Sequence, residues 1–121
     1  MTLAVHELDG ARFLEGEPGQ PLMRAVDDAR DVIEARFAEA IYAVLLYPEN
    51  LPPLFFDLSS GQAGEILQRL RNYDIRLAIV RTPALRLSSR FEDLLVDELR
   101  GPYFRLFDER KSALAWLTAP T

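Results

Sequence analysis

The chain contains no cysteine and a single histidine, His6. That excludes disulfides, thiolate metal sites, iron–sulfur clusters and a cysteine nucleophile, and one imidazole cannot build a His-rich zinc or iron centre. Lysine is almost absent as well. Of the fourteen basic residues only Lys111 is not arginine, and they face nineteen acids for a net charge of −5. Such a balance speaks against a nucleic-acid binder, whose affinity comes from cations on phosphates, and against docking on anionic membranes. No apolar run is long enough to span a bilayer, and residues 1–10 carry acids and no basic leader region, so the expected setting is cytoplasmic. The phosphate-cradling glycine motifs and the G-x-S-x-G nucleophile elbow are missing too. With no nucleophile–base pair, metal set or cofactor motif, the expectation is a protein that is not an enzyme and holds no cofactor.

What is present is an ordinary globular composition: 121 residues, 49% hydrophobic and 27% charged, the size of one domain spanning 1–121. Leu3 to Leu8 and Ala11 to Leu14 read as two strands joined by Asp9-Gly10, a strong hairpin signal. Glu15 to Pro21 reads as a loop. From Leu22 the spacing turns helical, with Leu22, Val26, Ala29, Ile33 and Phe37 on one side. Ala40 to Leu46 is continuously apolar, as a strand covered on both faces would be. Gly61 to Tyr73 forms a second amphipathic helix, in which Glu65 is spaced to pair with Arg69, and Ile75 to Val80 a further buried strand. The Ser89/Glu92 capping box opens a third helix with Phe91, Leu94, Leu95 and Leu99 inward, stopped by Gly101-Pro102. A short strand at Tyr103 to Phe107 follows, and Asp108 is placed to cap a last helix carrying Ala113, Leu114 and Leu117. The order β-β-α-β-α-β-α-β-α implies an α/β fold with a mostly parallel sheet of about five strands. The edge of such a sheet offers a surface for a homodimer.

Function concentrates between Glu49 and Val80. Ser59 and Gln62 form S-x-x-Q, which makes Ser59 a helix cap and leaves the Ser60 hydroxyl free. Gly61 and Gly64 at a helix start imply a close approach to the backbone, by a ligand or by the chain's own sheet. Phe55-Phe56 either lines a pocket or packs in the core. Loops at the carboxyl ends of parallel strands share an edge, so Asn50 to Ser60 would lie beside Arg81 to Arg90. Between Asp74 and Glu92 there are four arginines and no acid, so Arg81, Arg86 and Arg90 next to a helix N-terminus would suit a phosphate or carboxylate.

The stretch E-N-L-P-P-L-F-F-D-L-S-S-G-Q-A-G-E-I-L-Q-R-L-R-N-Y-D-I-R-L-A-I-V resembles the signature of a mainly bacterial family, domain of unknown function 4180, and the similarity continues more weakly from Ser88 to Leu117. Arg81-Thr82 stands where that family usually has Gly-Asp. A looser resemblance links D-L-S-S-G-Q-A-G to the D-S-S-G-L-G stretch of STAS domains (sulfate transporter and anti-sigma-factor antagonist), with Leu58 inserted and Gly64 kept. That resemblance implies a STAS-like fold and places the phosphoacceptor serine of its regulatory members at Ser60. The expectation is a regulatory or protein-interaction domain. Its partner would dock on a surface including Glu49, Asn50, Phe55, Phe56, Asp57, Ser59, Gly61 and Gly64. The alternative is a small-molecule or anion binder at the same edge.

Overall fold

The computed structural model describes residues 3–83, 85–98 and 101–119. One sheet carries five strands in the order of the chain: β1 (Leu3–Leu8), β2 (Ala11–Gly16), β3 (Ala43–Leu46), β4 (Arg76–Val80) and β5 (Phe104–Phe107). β1 and β2 are antiparallel, and every later pairing is parallel. Asp9 and Gly10 both take positive φ (51° and 84°), the backbone that matches a two-residue hairpin to the strands' twist.

Four helices alternate with the strands: α1 (Ala29–Glu39), α2 (Gln62–Arg71), α3 (Ser89–Glu98) and α4 (Arg110–Thr118). Three crossovers step across the sheet in the same direction, so α1, α2 and α3 share one face. There Val32, Ile66, Leu70 and Phe91 pack on Leu14, Val44, Leu46, Leu77 and Ile79. The chain turns back after β5, and α4 covers the other face, setting Ala113, Leu114 and Leu117 on Phe13, Leu45, Ala78 and Val80. β3 and β4 are thereby covered on both faces, which is why Val44–Leu46 and Leu77–Val80 are apolar runs.

Several boundaries differ from the sequence reading. The first helix begins at Ala29 rather than Leu22, because a short 3-10 turn, Val26–Asp28, precedes it and Leu22 and Met23 are buried in irregular chain. Asp28 holds that turn by accepting from the N–H groups of Arg24 and Ala25 (2.9 and 3.2 Å). α1 runs on to Glu39, and Ala40, with φ 55°, ends it, so β3 starts only at Ala43. Phe37 and Tyr73, assigned to apolar stripes, are exposed. Arg69 pairs with Asp27 at 3.2 Å instead of with Glu65. Ser88, not Ser89, caps α3 by accepting from the Phe91 N–H at 3.1 Å. Glu109 rather than Asp108 stands at the start of α4, with no side-chain cap. Leu99 lies outside the described residues.

Candidate functional site

The parallel pairing of β3 with β4 sets Leu46 beside Ile79, so the chain leaves both strands at one edge of the sheet. After β3 it makes a 3-10 turn at Pro48–Asn50 and reaches a compact turn from Leu54 to Gly61 that leads into α2. Phe55 anchors this turn. It is fully buried, with its ring 5.9 Å from Phe91 and 6.4 Å from Phe104, and half-buried Phe56 lies 5.3 Å from the Phe91 ring. The two phenylalanines are therefore core and anchor, not pocket lining. Through Phe91 they also bring the first turn of α3, with exposed Arg90, against the same edge.

The serines bond differently from the S-x-x-Q reading. A 3-10 turn, Leu58–Ser60, delays the helix, and the Asp57 carboxylate accepts from the Ser59 N–H (3.1 Å) and the Ser59 hydroxyl (2.6 Å). Ser59 thus caps nothing. Ser60 is the residue that closes the turn, although its side chain is exposed. Its hydroxyl donates to the Leu54 carbonyl at 2.8 Å and accepts from the Gln62 N–H at 3.2 Å, the first amide of α2. Gly61 follows at φ 76°, where a β-carbon would be strained. The close approach expected at Gly61 and Gly64 is found at neither: both are exposed and a β-carbon would meet nothing within 4 Å, so Gly61 is explained by its φ and Gly64 by no close approach.

Asn50 belongs to the interior rather than to a docking surface. It is fully buried. Its side-chain amide donates to the carbonyls of Glu17 (2.8 Å) and Gln20 (2.7 Å), and its oxygen accepts from the Tyr47 N–H (2.7 Å). Glu49 remains exposed beside it. In the arginine segment, Arg81 is half-buried and pairs with Asp108 at 3.6 Å, next to a cleft of about 190 Å³ formed with Thr82 and Pro83. Arg86 and Arg90 are exposed and make no ion pair among the described residues.

Two clusters had no signal in the local sequence. Glu15, read as loop, sits in β2 and is buried. Arg110 grips it with two bonds (2.7 and 3.0 Å), the Tyr47 hydroxyl donates at 2.6 Å, and the exposed His6 ring lies 3.6 Å away. Burial draws the Glu15 carboxyl upward, but Arg110, Tyr47 and His6 together outweigh it and hold the group below its ordinary value. Burial and the same carboxylate push the Tyr47 phenol up to about 12. At the opposite edge of the sheet, the Arg36 guanidinium lies over the Tyr42 ring (3.9 Å) and the Phe37 ring (4.4 Å), and its Nε donates to the Tyr73 carbonyl.

No group of three or more metal-ligating side chains is gathered among the described residues, and no helix there is long and apolar enough to cross a membrane. A family model described as Domain of unknown function (DUF4180) matches residues 8–117. No curated protein and no solved structure matches the chain.

Proposed function

The chain belongs to the DUF4180 family, and from its geometry we propose that it is a non-catalytic regulatory domain of STAS-like fold, acting in the cytoplasm and docking a protein partner through the Leu54–Gly61 turn. The observation that carries this reading is the position of Ser60. Its hydroxyl is exposed, yet it ties the Leu54 carbonyl to the first amide of α2. A phosphate there removes the donor that holds Leu54, while its oxygens can still take the Gln62 N–H at the positive end of the helix. The Asp57 carboxylate in the same turn adds repulsion. Modification would thus reshape the turn without unfolding the helix, which is what a switch requires. The strand and helix order and the sequential sheet support the STAS-like assignment.

The test is to recover the protein from growing and stressed cells and map phosphate by mass spectrometry. Ser60 should carry it and Ser59 should not, and Ser60→Asp, which adds charge as well as losing the donor to Leu54, should alter partner capture more than Ser60→Ala, which only loses the bonds. An unmodified Ser60 under all conditions, with identical partners for both variants, removes the switch. Exposed Arg86 and Arg90 keep a second reading in view, a small-anion binder. Stabilisation of the fold by phosphate or a dicarboxylate, abolished in the double Arg86→Ala/Arg90→Ala variant, would favour it.

A further inference from the structure

The sheet ends in two unlike edges. β5 is short, four residues with Arg105 in the middle, and its neighbours α3 and α4 both contact it. β1 is six residues long, contains no proline or lysine, and is exposed from Ala4 to Leu8. Among the described residues it pairs only with β2. Natural sheets usually blunt such an edge with charge, proline, a bulge or a covering element. Glu7 is the one charge on β1, and among the described residues no proline, bulge or covering element protects the strand.

The hairpin fixes which backbone groups are open. Leu8 and Ala11 flank a two-residue turn and form its closing hydrogen-bonded pair, so bonding to β2 alternates through Leu8, His6 and Ala4. The N–H and C=O groups of Leu3, Val5 and Glu7 then point away from β2. On the α1 side Val5, 42% exposed, opens onto a groove lined by Leu3, Leu14, Ala35 and Ala38 and also by Glu34 and Glu39.

We propose that a second copy of this chain pairs on that edge, β1 against β1 antiparallel about a two-fold axis at Val5, joining two sheets into one of ten strands. Charge selects this register. With Val5 opposite its copy, Leu3 faces Glu7, Ala4 faces His6, and the two Glu7 carboxylates stand four positions apart, about 14 Å, beyond the screening length of roughly 8–10 Å. A shift that centres the axis on His6 stacks two imidazoles and brings the two Glu7 to about 7 Å. Centring it on Glu7 sets like charges face to face. Of these three registers, only the Val5 one joins apolar to apolar at the axis and keeps the two Glu7 carboxylates apart.

Sedimentation equilibrium over a millimolar-to-micromolar dilution series should read a dimer. Val5→Pro removes an N–H that β2 does not use, and it should weaken association by at least about tenfold with unchanged far-UV circular dichroism. The lack of native cysteine supplies a second, independent measurement. Val5→Cys should cross-link to its copy under mild oxidation, since paired residues across a ladder stand within disulfide reach. Glu7→Cys, which faces Leu3, should not. A wild type that sediments as a monomer at every concentration, its edge left to a strand of some other protein, overturns the pairing. So does a folded Val5→Pro that still dimerises, or equal cross-linking at positions 5 and 7. Should Val5→Pro fail to fold, the two cysteine variants decide.

Discussion

The Asn50 carboxamide occupies the space that a side chain at position 16 would need: a β-carbon on Gly16 would lie 2.8 Å from the Asn50 Cγ and 2.9 Å from a Leu46 methyl. Gly16 ends β2 and Asn50 ends the 3-10 turn after β3, so this contact locks the neighbouring strands' exits together. Gly16→Ala should therefore cost about 1–3 kcal/mol by overpacking. Asn50→Ala strands two carbonyls and one N–H and should cost on the order of 2–4 kcal/mol. In the double variant the alanine at 16 gains room, so urea unfolding should show a loss smaller than the sum.

The buried Glu15 carboxylate makes stability depend on pH. Its folded value is depressed below the ordinary 4.5, so its contribution is present above that value and is lost as pH falls through the folded one. Arg110→Ala should cost more stability at pH 7 than in acid, where the carboxyl it balances is protonated. Glu15→Gln should flatten the acid limb of a stability–pH profile. An Arg110→Ala penalty that is the same at both ends would show that the clamp acts by packing alone.

Tyr47 should leave its mark at the alkaline end. Its phenol is neutral in the fold to about pH 12, so stability declines as pH rises from the ordinary tyrosine value of 10.0 toward that point. Tyr47→Phe should remove this decline and the step near pH 12 in a phenolate absorbance titration.

The two serines should separate in a stability measurement. Ser60→Ala removes both a donor to Leu54 and the acceptor for the first amide of α2, and should cost about 1 kcal/mol. Ser59→Ala loses one exposed bond to Asp57, within a few tenths of a kcal/mol of neutral.

The two glycines at the start of α2 should move in opposite directions. Gly61→Ala forces a β-carbon into positive φ and should destabilise by about 1–2 kcal/mol. Gly64→Ala enters open space within a helix and should stabilise by about 0.5–1 kcal/mol. Thermal unfolding of the two variants checks both signs.

Strand order and helix alternation were legible because their signals are local: apolar runs at Val44–Leu46 and Leu77–Val80, and Asp9-Gly10 at the hairpin. The site was legible less well. Glu15 looked like a loop residue because its cation, Arg110, is 95 positions away. Asn50 looked like surface because its acceptors lie 30 and 33 positions away. The serine pair was misread by one residue, since Asp57 takes the Ser59 N–H and a 3-10 turn postpones the helix. Leu22 mimics the start of a helical stripe, although it lies in irregular chain whose next residue, Met23, bonds through its N–H to the Asn50 carbonyl.

The sequential sheet has a consequence for how the molecule is made. Each strand docks beside the one synthesised just before it, so the face bearing α1, α2 and α3 can assemble progressively as the polypeptide leaves the ribosome. The other face cannot. Phe13, Leu45, Ala78 and Val80 wait uncovered until α4 emerges and Arg110 reaches back to Glu15. Until then that apolar face is open to other chains, and α4 closes it.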